Sequence, residues 1–321
     1  MHSFRMALVA VIAASLIGPA AAQPYPSRPI HMIVPAAPGT ATDATARFVA
    51  QRLGQELGTS VAVENKVGAN GIIGIDQVAK SPPDGYTVLA SPSPVYSNKA
   101  LYAKIPYDPI ADFTPLAKAV SAYLVLVVPA KSPFRTLENM IEYMRTHPDE
   151  LSYASAGSGS VTHMAPAMML AMAKVTALHV PYKGGDRAIV DTISGQVAMS
   201  FPALATALPH VQTGTLRALA IYGARRTEAL PDVPALTELG FPGFDIATSI
   251  GFLGPKGLPV EIQGRLSAAL LKILRTPDFA TFAKSQGLEL DVLGSTEYAI
   301  SGKNELAHWT KAVEVSGAKA E

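Results

Sequence analysis

The chain has 321 residues, of which 49% are hydrophobic and 16% charged, enough to build one large or two medium cores. Its 26 Lys and Arg against 25 Asp and Glu give a net charge of +1, so nucleic acid is not expected as a partner. Cysteine is absent, which excludes disulfides, cysteine–metal sites and a cysteine nucleophile.

The first 22 residues have the pattern of a secretory signal peptide. Arg5 gives a positive start, and residues 7–17 form an apolar run that is too short to span a bilayer. Ala20-Ala21-Ala22 provides an A-x-A cleavage site. We therefore predict secretion, cleavage near Ala22-Gln23 and a soluble mature chain.

The stretch that follows reads as a strand, a loop and a helix. Ile30, Met32, Ile33 and Val34 form a short apolar run like that of a buried strand, and residues 35–40 form a turn broken by proline and glycine. Thr42 or Asp43 has the residue type of a helix N-cap, and Gly58 that of a C-cap. Such a loop presents free N–H groups and the positive end of a helix dipole to a phosphate or carboxylate. An ordinary β–α connection with a capped helix would give the same pattern.

Strand and helix patterns alternate in the next part of the chain, which indicates parallel β–α–β units. We predict strands at residues 60–64 and 86–90 and a helix at 75–80. After a long irregular connection, the apolar run 123–128 is interpreted as the crossing into a second domain. Further on we predict helices at 136–146, 186–194, 260–274 and 296–315, strands at 151–154, 177–181, 197–201, 217–221 and 250–253, and a surface connection at 231–243.

Residues 151–163 repeat the opening pattern of strand, loop and helix. The second loop adds hydroxyl groups to the N–H donors, those of Ser155, Ser158, Ser160 and Thr162. Two loops of one design, one in each half, predict a ligand held in a cleft between two domains. A carboxylate could be bound there without Lys or Arg. On the helix that follows, Met164, Met168 and Met172 are predicted to face the core.

His163, near these serines, raises the alternative of a secreted hydrolase that uses Ser158 or Ser160 on a small carboxylate ester. No G-x-S-x-G elbow is present, so a structural or ligand-bonding histidine is favoured. Asp43 is interpreted as a helix cap that also orders the first loop and bonds a ligand or its waters.

Cofactors and metals are not indicated by the sequence. The histidines show no metal-ligand spacing such as H-E-x-x-H. Gly157 and Gly159 lack the third glycine and the following acidic residue of a dinucleotide site. We predict neither a metal nor a cofactor.

The motifs taken together resemble the periplasmic solute receptors of tripartite tricarboxylate transporters, often called Bug proteins. The resemblance runs from Tyr25 to the C-terminus. Its motifs are residues 25–30 (YPSRPI), Pro35, Gly39, Thr42-Asp43, Ala46-Arg47, 63–66 (VENK), 83–87 (PDGYT), 151–157 (LSYASAG), Gly159-Ser160, His163, 180–184 (VPYKG), 195–197 (GQV), 207–210 (ALPH), 216–220 (LRALA) and 230–234 (LPDVP).

The resemblance implies a two-domain α/β periplasmic-binding-protein fold of the Venus flytrap type. Each domain would be a mostly parallel sheet flanked by helices, with domain I at residues 23–123 and 245–321 and domain II at 124–244. It implies a monomeric periplasmic receptor that delivers a small organic acid to membrane transporter subunits. It implies neither catalysis nor nucleic-acid binding. A receptor that reports to a sensor kinase is an alternative.

In the family the two loops grip ligand carboxylates, the first partly through ordered waters. Carried over to this sequence, the predicted ligand-binding residues are Pro38, Gly39, Thr40, Thr42, Asp43, Ser91, Ser155, Gly157, Ser158, Gly159, Ser160, Thr162, His163, Tyr182 and Phe201.

Four positions depart from the usual family pattern. Thr40 and Ala41 stand where glycine and proline are common, Ser249 where many members have tryptophan, and Pro202 where the family often has aspartate. Ser249 could enlarge the cleft, and Pro202 removes an acid that could pair with an amino group. We therefore hypothesise a carboxylate ligand without an amine, including one with an apolar or aromatic body.

Overall fold

The computed structural model describes residues 25–223, 225–242, 244 and 247–317. The signal peptide predicted at residues 1–22 lies outside these ranges. The strands are β1 Ile30–Val34, β2 Val61–Asn65, β3 Thr87–Pro92, β4 Phe113–Pro129, β5 Ser152–Ser155, β6 Leu178–Pro181, β7 Met199–Ser200, β8 Leu216–Tyr222, β9 Ala247–Pro255 and β10 Glu289–Leu293. The α-helices are α1 Ala41–Leu57, α2 Ile72–Ala79, α3 Pro94–Leu101, α4 Leu137–Thr146, α5 Val161–Ala173, α6 Gly185–Ser194, α7 Leu204–Gln212, α8 Val260–Leu274, α9 Pro277–Ser285 and α10 Ser295–Ser316.

The long strand β4 belongs to two sheets, because its pairing partners change along its length. From Phe113 to Tyr123 it pairs with β9, and β10 lies on its other side. From Leu124 to Pro129 it pairs with β8, and Val127 also pairs with Ser200 of β7. The full strand order is β2-β1-β3-β9-β4-β7-β5-β6. The change of partners coincides with the crossing that the sequence predicts near residue 123.

The strand directions bring the two loops to facing edges of the sheets. β1 is parallel to β3, β3 is antiparallel to β9, and β9 is antiparallel to β4, so β1 points the same way as β4. β7 is antiparallel to β4 and parallel to β5, so β5 points the opposite way. The carboxyl end of β1 therefore points toward the second sheet, and that of β5 points back toward the first.

The predicted two-domain α/β periplasmic-binding-protein fold is therefore the fold of this chain, although its sheets are more mixed than predicted. The parallel strands β1–β3 and β5–β7 form the outer parts of the sheets. The strands beside the junction, β4 and β9, are antiparallel because they carry the chain between the two sheets and back.

The cap of α1 differs from the prediction. Its N-cap is Thr40, whose extended backbone precedes the helix and whose Oγ1 accepts the Asp43 N–H at 3.4 Å. Asp43 is consequently the third helical residue, one turn later than an N-cap. Gly58 ends the helix in the left-handed region, at φ 69°, as predicted.

The methionine stripe of α5 is only partly in the core. Met164 and Met168 are buried, but Met172 is 38% exposed. Each i, i+4 step passes a full turn by about 40°, so the third position has rotated about 80° around the helix. Met169 takes the third buried place.

Other differences concern lengths and short elements. Helices α3, α7 and α9 and strand β10 lie outside the predicted elements, and β4 begins ten residues before the predicted strand. The surface connection predicted at residues 231–243 contains a 3-10 helix, Leu236–Leu239, that starts beside two fully buried side chains, Ala235 and Leu236.

The C-terminal helix α10 contacts both halves of the molecule. It packs against α3, which follows β3 of the first sheet, and against α5, which follows β5 of the second. Trp309 and Ala312 of α10 share one hydrophobic cluster with Met164 and Met168 of α5. Within the described ranges, no helix combines the length and apolarity that crossing a bilayer needs.

Candidate functional site

The first loop, residues 35–40, leads into the start of α1, where Thr42 is buried. Pro38, Gly39, Thr40 and Ala41 are exposed. The N–H groups of Ala41 and Thr42 are the first two of α1, which a helix cannot satisfy internally, and the described residues provide neither with an acceptor. The loop therefore offers two directed donors at the positive end of a helix.

Asp43 holds this loop from inside. Its carboxylate is 3% exposed. Oδ2 accepts the Gly39 N–H at 3.0 Å and the Arg47 Nε–H at 3.0 Å. Oδ1 accepts from Asn65 Nδ2 at 2.8 Å and pairs with an Arg47 terminal nitrogen at 2.9 Å. Both oxygens are engaged, so the carboxylate orders the loop and is not presented to a ligand.

The charge of Asp43 is stabilised by these contacts. Burial alone would raise the pKa of its carboxyl, but hydrogen bonds from Arg47, Gly39 and Asn65 outweigh burial and lower the pKa below its ordinary value. Asn65 also donates to the Ala36 carbonyl at 3.0 Å. The first loop is thus fastened by an ionised cluster.

The second loop ends in the same way at the start of α5. Ser160 is the N-cap residue, and Val161 and Thr162 supply the first two helical N–H groups, for which no acceptor exists among the described residues. Ser158 at the tip is exposed. Each loop therefore contributes two helix N–H donors at facing edges of the sheets.

The other predicted hydroxyls shape the second loop instead of pointing out of it. Ser160 Oγ donates to the Gly157 carbonyl at 2.7 Å and lies 2.9 Å from Thr162 Oγ1. Thr162 Oγ1 also accepts the Ala156 N–H at 2.8 Å. Ser155 is 1% exposed, and its oxygen accepts the Gly157 N–H at 3.1 Å.

Two stacked histidines lie beneath this loop. The rings of His163 on α5 and His179 on β6 are parallel to within 7°, with centroids 3.9 Å apart. His163 Nδ1 accepts the Gly159 N–H at 3.0 Å, and His179 Nε2 lies 2.6 Å from Ser155 Oγ. Burial lowers the pKa of His163, and burial together with His163 lowers the pKa of His179 to about 4.

Tyr182 borders the loop mainly through its backbone. Its N–H donates to the Ser155 carbonyl at 3.0 Å, and its hydroxyl donates to Asp191 Oδ2 at 2.9 Å. Gly157 has φ 132°, and a Cβ there would lie 3.4 Å from the Tyr182 carbonyl oxygen. The loop path consequently depends on glycine at this position.

Ser91 and Phe201 do not present the surface that a ligand-binding role needs. Ser91 is completely buried near the end of β3. Phe201 is also completely buried, with its ring edge-on to Tyr153 and Tyr222. Both positions follow or end core strands, and their side chains point into the core in this conformation.

Ser249, expected to enlarge the cleft, is buried and bonded instead. Its N–H donates to Ser93 Oγ and its hydroxyl to Glu305 Oε2, both at 2.8 Å.

A separate cavity of about 370 Å³ lies between α10 and strands β4 and β10, with Glu305, Lys118 and Asp291 in its wall. Within the described ranges, no group of side chains is suited to hold a metal ion.

Five residues of this candidate site were not predicted as functional positions. Ala41 and Val161 supply two of the helix N–H groups. Arg47 and Asn65 complete the cluster around Asp43, and His179 stacks on His163. The register offers a signal for His179, since it pairs with Tyr153 across parallel strands and so shares the sheet face that α5 covers. The register of β5 and β6 is known only from the structure, so the sequence alone could not identify His179 as a partner of His163.

Comparison with known proteins gives a consistent result. Residues 45–317 match the family model described as the tripartite tricarboxylate transporter family receptor. The chain is 37% identical over 290 residues to the "UPF0065 protein in tcbD-tcbE intergenic region" of Pseudomonas sp. strain P51, covering 90% of this chain and 86% of that protein. It is 33% identical to Protein BugT of Bordetella pertussis, covering 96% and 95%.

Solved structures agree with this result. Rpa4515 of R. palustris with adipate superposes with a TM-score of 0.79 at 29% identity, covering 92% of this chain and 99% of that one. MatC (Rpa3494) of Rhodopseudomonas palustris with bound malate gives a TM-score of 0.76 at 29% identity, covering 90% and 100%.

Proposed function

From the premise that this chain belongs to the tripartite tricarboxylate transporter receptor family, whose members are periplasmic solute-binding proteins, we propose its specific role. It binds a small organic carboxylate between its two loops in the periplasm and delivers it to membrane transporter subunits. It performs no chemistry on the ligand.

One observation carries the proposal: two pairs of helix N–H groups without acceptors, at Ala41 and Thr42 and at Val161 and Thr162, on facing edges of two sheets. Carboxylate oxygens are the acceptors such groups suit. Arg47, the cation on the first turns of α1, is already paired with Asp43. The ligand would then be held by neutral donors and released readily.

The ligand class follows from the acids near the site. Asp43 is bonded to Arg47 and Asn65, and Asp191 pairs with Arg187 at 3.1 Å. Pro202 brings no charge. We expect a carboxylate without an amine, and the adipate and malate bound by the two structural neighbours are of this kind.

The domain division is part of the proposal. We place domain I at residues 23–123 and 245–321 and domain II at 124–244, with β4 and the return to β9 as the hinge. Contacts of α10 with both α3 and α5 suggest that this helix is a third connection. Small-angle scattering should give a smaller radius of gyration when a bound carboxylate saturates the protein. An unchanged profile with proven binding would contradict the hinge.

A hydrolase is not supported by the serine geometry. The serine bonded to a histidine is Ser155, which is buried and also accepts the Gly157 N–H. Ser160 donates its hydroxyl to a carbonyl of its own loop, and no histidine among the described residues bonds to the exposed Ser158. None of these serines is therefore both exposed and activated by a histidine.

The function is tested by identifying what the purified protein carries. Mass spectrometry of the small molecule released on denaturation should detect an organic acid. A thermal-shift screen of aliphatic dicarboxylates, aromatic carboxylates and amino acids should give its largest shifts among the acids without amines, with no ligand consumed. Ligand turnover would support an enzyme, and a top hit among the amino acids would refute the ligand class.

A further inference from the structure

A hydrogen bond from Gly159 fixes which ring nitrogen of His163 carries the proton. The proposed ligand binding does not use this feature. A backbone N–H always donates, so the contact from Gly159 to His163 Nδ1, at 3.0 Å, requires a lone pair on that nitrogen. The proton of neutral His163 therefore sits on Nε2. An imidazolium carries hydrogen on both nitrogens and could not accept from Gly159.

We propose that His163 is the positioning residue of the second loop: its neutral imidazole holds Gly159 in place, and protonation releases the loop, so that carboxylate affinity falls on acidification. This proposal rests on the proposed function for its effect on affinity. Its effect on the loop stands on the contacts alone. It replaces the ligand-bonding role that the sequence favours for His163 with an indirect one.

The loop geometry explains how the Gly159–His163 hydrogen bond affects the N–H donors at the start of α5. Gly159 has φ 76° and directly precedes Ser160, the N-cap of α5. The Ser160 N–H and Oγ both bond to the Gly157 carbonyl, at 3.1 and 2.7 Å. Movement of Gly159 would therefore displace the turn that aims the N–H groups of Val161 and Thr162.

The surroundings of His163 favour its neutral form. His179 is stacked at 3.9 Å, so protonating both rings would place two parallel cations in contact. The buried and half-buried titratable side chains on the elements packed against α5 are Tyr153 of β5, His179 of β6, Arg217 and Tyr222 of β8, and Tyr298, Glu305 and His308 of α10. The other charged side chains of α10, Glu297, Lys303, Lys311 and Glu314, are exposed.

Glu305, the carboxylate among these groups, accepts hydrogen bonds from residues other than His163. Glu305 accepts from Ser249 Oγ at 2.8 Å and from Trp309 Nε1 at 3.4 Å. Tyr222 donates its hydroxyl to the Ala165 carbonyl at 2.8 Å. The pKa of His163 is lowered by burial, which agrees with a neutral ring near pH 7.

Two variants distinguish the role of the His163 ring from that of its acceptor nitrogen, and a third variant is the control. His163→Asn places an amide oxygen near the position of Nδ1 and cannot titrate. His163→Phe keeps an aromatic ring for stacking but has no acceptor. His147→Asn changes a histidine stacked on Tyr143 in a different part of the second half and serves as the control.

The first readout needs no ligand. Amide hydrogen-exchange protection of Gly159, measured by NMR and corrected for intrinsic exchange, should fall about tenfold or more between pH 7.5 and pH 5 in the wild type. The Asn variant should keep its protection at both pH values, and the Phe variant should lack it at both. Protection that is independent of pH in the wild type, or retained in the Phe variant, would overturn the proposal.

The second readout uses adipate and malate as calorimetric probes. Between pH 7.5 and pH 5.5 the wild type should lose more affinity than the Asn variant, by a factor of at most about ten because the pKa of His163 is lowered. Protonation of the probe is common to both proteins. Affinity that rises on acidification would mean that His163 contacts the carboxylate directly and would refute the positioning role. If neither probe binds at any pH, the proposed ligand class fails, while the Gly159 readout still decides the role of His163.

Discussion

The two loops present the same donors but are fastened by opposite chemistry. The first is held by a buried carboxylate, Asp43, that is ionised and paired with Arg47. The second is held by hydroxyls and by His163, which must be neutral to accept the Gly159 N–H. The strand–loop–helix unit thus sets which helix N–H groups lack an acceptor among the described residues, whereas the side chains that hold each loop decide how it responds to pH.

The largest expected effect is that of β-branched residues in the second loop. Gly157→Val places side-chain atoms toward the Tyr182 carbonyl at φ 132°, and Gly159→Val forces a β-branched residue to φ 76°. We expect calorimetric affinity for adipate or malate to fall more than about tenfold, while the free energy of unfolding falls by at most about 1–3 kcal/mol.

Gly214→Val is the matched control for these variants. Its φ is 71°, nothing lies within 4 Å of its Cβ position, and it follows α7 away from both loops. It should carry a similar backbone cost without a loss of binding. Normal binding by both loop variants would exclude the second loop from the site.

A smaller effect is expected when the ionised cluster of the first loop is broken. Asp43→Asn should lower the free energy of unfolding by about 1–3 kcal/mol, because an amide nitrogen replaces one acceptor among several donors. Urea unfolding measures the loss. Asp278→Asn, at an acid 77% exposed opposite Arg52, should cost far less, and equal losses would contradict the assigned role of Asp43.

The last effect distinguishes the loops by pH. The pKa of His179 is lowered from 6.5 to about 4, so the unfolded chain binds a proton that the folded chain rejects between these values. Stability should be complete above pH 6.5 and fall as the pH drops toward 4, with a slope of at most about 1.4 kcal/mol per pH unit. Asp43, whose pKa is lowered, keeps its contribution over this window.

Urea unfolding at pH 7.5 and pH 5 tests this difference. His179→Gln should show a smaller loss than the wild type on acidification, because glutamine does not titrate. His210→Gln, at the end of α7, is the control and should leave the loss unchanged. A wild-type slope that survives in His179→Gln would show that another group causes it.

Local sequence patterns were enough to predict most of the helices and strands. Helix α8 occupies the residues predicted for it, and Gly58 ends α1 as predicted, because these signals depend on neighbours in the chain. The extent of β4 was underestimated because residues 113–122 are polar in places, and their strand pairing depends on β9, more than a hundred residues away.

The two loops were predictable from the sequence, but their contacts were not. Asn65 reaches Asp43 across 22 positions in the chain, and His179 reaches Ser155 across 24. Such pairs depend on strand register, which one sequence does not reveal. Burial was also not visible in the sequence. Ser91 lies near the end of β3 and Phe201 directly follows β7, but both side chains are completely buried.

The most direct test of the account observes the four helix N–H groups themselves. In amide NMR spectra, saturation with the carboxylate that stabilises the protein most should move the resonances of Ala41, Thr42, Val161 and Thr162 to lower field, as new hydrogen bonds form. Resonances of all four that stay unchanged while calorimetry proves binding would contradict the claim that these groups hold the ligand.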